Sequence, residues 1–454
     1  MNSLNTPLVH KRSQRLFPHL LSLLLPLLLV LSACGGGGGS SSSPSSSSGS
    51  GPVPVTPPDP TSTANFPSGA NVVKVSVDGQ SFSALNTPFV SITLCNPSAP
   101  TNCLTIDHIL VDTASVGLRV YSQPLNTSSL TSLNLPQQLA SDGNPLVECL
   151  PFAQGTTWGP IKNVNLQVGA EVASNIAVQV ISDPNFTSVP AACSNQGAAM
   201  LTPSGTKGFG ANGVLGVGLY AQDCGFNCTT AAGLVENVYF SCSNNGSNCT
   251  NIGVPLASQV QHPVTQFAKD NNGVILTLNP IPASGATTVA GVLIFGVDTE
   301  TNNVSSNTNT ILVNNTPTDP SYGYITTVFN NQSYTSSFLD SGSNAYFFNA
   351  PTGTSITQCT GNYAGFYCPA TTIAATTLVS GVSGSSAATT TTFNIANGST
   401  LFSNNTYAAF NDLAGSASDN VTFDWGLPFF FGRSVYTVID GKTTAKATGP
   451  YFGW

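Results

Sequence analysis

Positive charge is what this sequence has least of. Lys and Arg together number 11 against 19 Asp and Glu in 454 residues, and the formal net charge is −8. A nucleic-acid or anionic-lipid binder needs a basic patch, and a chain so poor in cations offers none, so no nucleic-acid partner is expected. Histidine is nearly as scarce. Of four His in all, only His108 and His262 lie beyond the first 33 residues. That leaves little for a Ser-His-Asp site, and no Gly-x-Ser-x-Gly elbow is present. A metal site is poorly served as well: Cys224 and Cys228 have no matching second pair. The only long glycine tract, residues 35–39, belongs to a tether and not to a phosphate-cradling loop. No metal and no cofactor are therefore expected. Helical periodicity is also rare. The clearest candidate is residues 256–269, with Val260, Val264, Phe267 and Ala268 on one face. His262 precedes Pro263 there, and a structural role suits it best.

Long apolar runs are missing too, with one short exception near the start. Lys11, Arg12 and Arg15 precede LLSLLLPLLLVLSA, which contains Pro26. Residues 1–33 therefore read as an export signal and not as a permanent membrane span. The run ends in Leu31-Ser32-Ala33-Cys34, which resembles a bacterial lipobox; that resemblance implies lipidation of Cys34. Gly35, not Asp, follows, which implies an outer-membrane destination in a Gram-negative cell. The expected location is the cell envelope, with the membrane reached through the lipid anchor. Residues 34–67 are rich in Gly, Ser and Pro and read as a tether. The expected folded part divides into an N-terminal β lobe at residues 68–300 and a C-terminal β lobe at residues 301–454, the whole a monomer.

What the folded part has in quantity is β-like pattern. Short runs such as NVVKVSVDG, TPFVSITLC, NVNLQVG, NIAVQVI, GVILTLNP and GVLIFG alternate between Gly, Asn and Pro turns. Ten cysteines follow Cys34, an even number in an exported chain. Their spacing suggests Cys95 with Cys103, Cys224 with Cys228, Cys242 with Cys249 and Cys359 with Cys368, which leaves Cys149 with Cys193. Other connectivities remain open to a sequence alone.

Two carboxylates stand out. ILVDTASVGLRVY, residues 109–121, carries Asp112 out of a hydrophobic run into a turn of small residues. SSFLDSGSNAYFF, residues 336–348, does the same with Asp340. If two such turns face each other, like charges a few Å apart cannot both ionise cheaply, and the pair holds one proton between about pH 2 and about pH 5. The ionised member can take a proton from water while the other donates to a carbonyl. A single Asp-Ser or Asp-Thr is more often an ordinary turn; two copies in hydrophobic settings are harder to dismiss.

On these residues the chain resembles the pepsin-like aspartic peptidases. GANGVLGVGL at residues 210–219 is similar to the segment that supports the first turn in that family. GVLIFGVDTETNN and RSVYTVIDGKTT, with Tyr436, Val438 and Asp440, are similar to later segments in the same order. The resemblance implies an all-β-dominated, bilobal fold with few short helices, and an endopeptidase that acts on a peptide or protein substrate. Asp112 and Asp340 would be catalytic. Thr113 and Ser341 would lock the turns together through reciprocal hydroxyl-to-backbone bonds, with Gly342 completing the second turn. Ser115 and Ser343 would hydrogen-bond the outer carboxylate oxygens. A flap hairpin falls at residues 151–169, with Gly155 and Gly159 at its tip and Phe152 where the family has Tyr. Trp158 would either contact substrate or serve as a core aromatic.

The sequence departs from the family at three places. Ala114 stands where the first turn would have Gly; were φ positive there, the strain would be about 1–2 kcal/mol. The second supporting segment reads either through Pro428 or, better, through Phe423-Asp424-Trp425-Gly426, because Pro offers no N–H. Residues 370–410, rich in Asn and Thr, read as an insertion that the resemblance does not place. Ala114 and Phe152 keep a second expectation open, a catalytically silent surface lipoprotein that binds peptides or glycans. A third is a structural lipoprotein whose two Asp never meet.

Overall fold

Alternation of β-branched with small polar residues turns most of the chain into strands. The computed structural model describes residues 59–454 except 80–81, 205–207, 230–236, 244–245, 307, 317–318, 320 and 382–387. The export segment, Cys34 and the tether up to residue 58 lie outside the described residues. Among the described residues the only α-helical segments are the single turns Ala191–Ser194 and Gly398–Leu401. The expected all-β, two-part architecture is the one present, as a 15-stranded and a 7-stranded sheet.

The larger sheet draws on both ends of the folded chain. Val72–Val77 pairs with Val289–Phe295, which pairs with Gly273–Leu278. That strand pairs in turn with Ser434–Val438, then Tyr451–Gly453, then Thr310–Leu312. The smaller sheet is built from strands between residues 325 and 425. The Asn/Thr-rich residues 370–410 supply two of them, Ile373–Ser380 and Thr389–Ile395, paired antiparallel. Their Thr residues alternate between buried and exposed faces, so a composition that looked like an insertion is a half-buried hairpin. One apolar core runs through both sheets. In the smaller one Phe348 stacks on Phe423 at 4.6 Å, with Phe393 and Trp425 edge-on to each other at 5.4 Å. Burying each such ring contributes roughly 1.5–3 kcal/mol.

The same small motif occurs twice. In the first copy, Gly213–Val217 lies parallel to the end of Ala99–Asp112 and antiparallel to Val116–Tyr121. In the second, Thr422–Trp425 lies parallel to Gln332–Leu339 and antiparallel to Tyr346–Phe348. The registers align Asp112 with Gly216, and Leu339 with Trp425, so Gly426 follows as the counterpart of Gly216. Both glycines are required by close approach. A Cβ at Gly216 would sit 2.6 Å from the Val116 nitrogen, and one at Gly426 would sit 2.1 Å from the Ala345 oxygen. The second supporting segment is thus Phe423–Gly426, and Pro428 lies in the following 3₁₀ turn.

The helix expected at residues 256–269 does not form. Two 3₁₀ turns, Leu256–Ser258 and Pro263–Gln266, replace it. Pro263 lacks the N–H a helix needs, and His262 before it is extended, as a residue preceding proline tends to be. His262 is fully buried, with Nε2 against the Gly218 carbonyl and Nδ1 accepting from the Val264 N–H. Burial pushes it down to about 4, so it serves as a neutral structural group. The five suggested disulfides are all present: Cys95–Cys103, Cys149–Cys193, Cys224–Cys228, Cys242–Cys249 and Cys359–Cys368.

Candidate active site

The two Asp turns meet across the junction of the two motifs. In the first, the Ala114 and Ser115 N–H groups donate to Asp112 Oδ1 at 2.8 and 3.3 Å. In the second, the Gly342 and Ser343 N–H groups donate to Asp340 Oδ1 at 2.7 and 3.2 Å. Ala114 therefore does what the glycine does. It is not among the residues with positive φ, so the strain conceivable at this position is absent.

Thr113 and Ser341 lock the turns reciprocally. Thr113 Oγ1 donates to the Leu339 carbonyl and accepts from the Ser341 N–H, both at 3.0 Å. Ser341 Oγ donates to the Val111 carbonyl at 2.7 Å and accepts from the Thr113 N–H at 3.1 Å. All four bonds are buried, where a lost partner costs most.

The pair is not symmetric. Ser343 Oγ donates to Asp340 Oδ2 at 2.9 Å, as expected. Ser115 Oγ is buried without a hydrogen-bond partner, so the matching bond expected in the first turn is not made. Repetition of a turn sequence fixes the backbone but leaves each hydroxyl's rotamer to its own surroundings. Burial raises Asp340 well above the usual carboxylate range, and the nearby Asp112 charge raises it further. Ionising both carboxyls at once is therefore costly.

Above the pair lies a cleft whose lining includes Leu110, Leu150, Phe152, Phe209, Phe338 and Tyr220. The hairpin expected as a flap is there: Leu146–Phe152 pairs with Gly155–Val168, with Phe152 facing Gly155 across a tip of Ala153 and Gln154. Phe152 and the tip line the cleft, and Phe152 meets Phe209 edge-on at 4.8 Å. Two expectations need correction. Gly159 pairs with Glu148 well back from the tip. Trp158 faces away: it is 4% exposed, its Nε1 donates to the Phe186 carbonyl at 2.8 Å, and it packs edge-on to Phe240. The indole finds a buried acceptor and an apolar pocket, which holds it in the core.

The family model described as Protein of unknown function (DUF3443) matches residues 67–454. The chain belongs to that family. No curated protein matches it. Among solved structures, this DUF3443 chain is similar to the aspartic proteinase from Irpex lacteus. The two are 14% identical with a TM-score of 0.44, and the match covers 84% of this chain and 96% of that one. That likeness is too remote to bear on the site.

Two features of the DUF3443 cleft escape a reading of the sequence. The first is a buried ion cluster. Arg119 bonds Glu148 twice, at 2.6 and 3.2 Å, and Asp223 once, at 2.9 Å. Tyr239 donates to Asp223, and its hydroxyl accepts from the Val260 N–H at 2.8 Å. Glu148 belongs to the hairpin, so the cluster ties the hairpin's base to the body of the cleft. Burial, and then the Glu148 charge, raise Asp223 well above its ordinary value. Nothing in the spacing of these residues betrays the contact, since they come from four separated segments. The second feature is Asp424, a third acid close behind the pair. It was visible only as part of a supporting segment.

Proposed function

We propose that this protein is an aspartic endopeptidase. The observation that carries the reading is the pairing of Asp112 and Asp340 in mirrored, interlocked turns. An extended peptide would lie in the cleft beneath the tip at Ala153 and Gln154. Asp112 would take a proton from a water molecule as its oxygen attacks the peptide carbonyl, and Asp340 would donate its proton to the carbonyl oxygen. Collapse of the resulting gem-diol returns one hydroxyl proton to Asp340 and breaks the C–N bond. The amine leaves with the proton that Asp112 had taken. No covalent enzyme intermediate is needed. The apolar lining favours large apolar side chains next to the scissile bond. The lipobox-like Cys34 supports an envelope location, with the folded part held at the membrane by its tether.

A second reading, a cleft that binds peptides without cutting them, draws support from Ser115 Oγ, which leaves Asp112 without the hydroxyl bond that Asp340 enjoys. Cleavage of a peptide library between about pH 2.5 and about pH 7 separates the two readings. The peptidase reading expects acid-leaning cleavage that a statine-type transition-state analogue blocks and that Asp340→Asn abolishes. Cleavage unchanged in Asp112→Ala or Asp340→Asn would sink it, and tight analogue binding without turnover at any pH would favour the second.

A further inference from the structure

Asp424 has no task in a two-carboxyl reaction, yet it sits where it can act on one. In Thr422–Trp425 its neighbours Phe423 and Trp425 pack into the core, so its own side chain points to the opposite face. The parallel register places it beside Phe338, two residues before Asp340, and the antiparallel register places it beside Phe347. Phe338 lines the cleft. Asp424 is 0% exposed and its oxygens make no hydrogen bond of ordinary geometry, although the Ser343 hydroxyl is close enough to act on it. The matching position in the first motif, beside Leu110, is Val214, which packs with Phe82, Phe89 and Ala211. A carboxyl therefore stands where the repeat otherwise places an isopropyl group.

A bare carboxylate cannot be kept there. Losing its water is costly, and only a partner could offset that loss. The groups that act on Asp424, after burial itself, are Asp340, the Ser343 hydroxyl and Asp112, and none is a cation. Tyr334 and Tyr346, from the strands on either side, turn their rings towards Phe423 and Trp425 on the other face. Two acids and a hydroxyl leave the neutral form as the one that fits.

We propose that Asp424 is a third acid buried behind the pair, held neutral while the pair works, and that it positions Asp340 through the Ser343 hydroxyl. Ser343 uses its single proton on Asp340 Oδ2. Its lone pairs stay free to accept, and a neutral carboxyl is a donor. The order Asp424 to Ser343 to Asp340 aims every donor at the pair. Once ionised, Asp424 could only accept; it would compete for the Ser343 proton and set a second negative charge against Asp340. The positioning role rests on the peptidase reading, whereas the neutral state does not.

The test compares the wild-type chain with Asp424→Asn, which has the same shape and is neutral at every pH, and with Asp424→Val, the residue of the first motif. Unfolding in denaturant is followed from about pH 4 to about pH 8. As pH rises past the unfolded carboxylate value the unfolded wild type loses a proton that the folded state keeps. Asp424→Asn should then match wild type at the acid end and gain on it by about tenfold in the unfolding equilibrium per pH unit. A constant difference across the range would overturn the neutral acid. Titration of the Asp340 carboxyl by ¹³C NMR reads the positioning without any need for cleavage. Asp424→Val should displace that titration and Asp424→Asn should restore it; an Asp340 curve that coincides in all three proteins would overturn the positioning. If the wild type never cleaves, the peptidase reading falls while both of these readouts still decide.

Discussion

A single methyl group at Gly342 tests how tightly the two turns are spaced. A Cβ built there lies 3.0 Å from both Cγ and Oδ1 of Asp112, and 3.1 Å from Oδ1 of Asp340. That is tighter than ordinary side-chain contacts, so the carboxyls must give way by a few tenths of an ångström. Overpacking of this kind costs roughly 1–3 kcal/mol. Borne by the transition state, that is a loss of about 5- to 150-fold in kcat/KM. The N–H of residue 342 still donates to Asp340, so spacing and not hydrogen bonding is what changes. Moving Asp112 away also weakens its upward push on Asp340, and the basic limb of the pH profile should shift to lower pH. The assay is kcat/KM against pH, with a thermal melt to show that the variant is folded. The reverse change, Ala114→Gly, should leave kcat/KM within about twofold, because Ala114 already holds an ordinary φ; its cost is roughly 0.5–1 kcal/mol of stability. A folded Gly342→Ala variant with wild-type kcat/KM and an unmoved basic limb would refute the spacing argument.

Arg119→Met should destabilise the fold by about 3–5 kcal/mol near neutral pH, since it leaves Glu148 and Asp223 buried without their cation. A denaturation midpoint for Arg119→Met equal to that of the wild type near pH 7 would contradict this. His262 acts in the opposite sense to the raised acids. Its folded value of about 4 lies below the ordinary 6.5, so the unfolded chain binds a proton first as pH falls. Stability should drop between those two values by about 3 kcal/mol and no further below them. His262→Gln should flatten that part of a plot of urea midpoint against pH.

Much of the site was legible because it is local. Each Asp turn carries its own hydroxyl, its own small residues and its own hydrophobic strand, so Asp112, Thr113, Asp340, Ser341 and Ser343 could be placed from short windows. The supporting glycines were legible for the same reason: Gly216 and Gly426 mark where two backbones nearly touch. Four of the disulfides close short loops, and the fifth followed from what remained. What failed depends on neighbours distant in sequence. The register of the flap hairpin is set at its tip, and a small slip in locating that tip moved Gly159 and Trp158 to the wrong end. Ser115 looks the same as Ser343 in a window of five residues, yet only one of them reaches its carboxylate. The apolar spacing at residues 256–269 is helical, but Pro263 decides the matter. Arg119, Glu148 and Asp223 look unremarkable one by one and acquire meaning only when three segments converge.

The order of strands in the larger sheet has a consequence for the chain's birth. Val289–Phe295 and Gly273–Leu278 bridge Val72–Val77 to Ser434–Val438 and Tyr451–Gly453, so the sheet closes only when segments remote in the chain come together. The lock between the turns likewise needs Leu339 and Ser341, and the second turn needs Thr422–Trp425 behind it. A nascent polypeptide that has released only its first half carries Asp112 but has no partner to share a proton with. Closure between such remote stretches is slow compared with folding through local contacts. The acid pair therefore comes into being only once the second motif is available, and until then Asp112 stands as an isolated carboxyl.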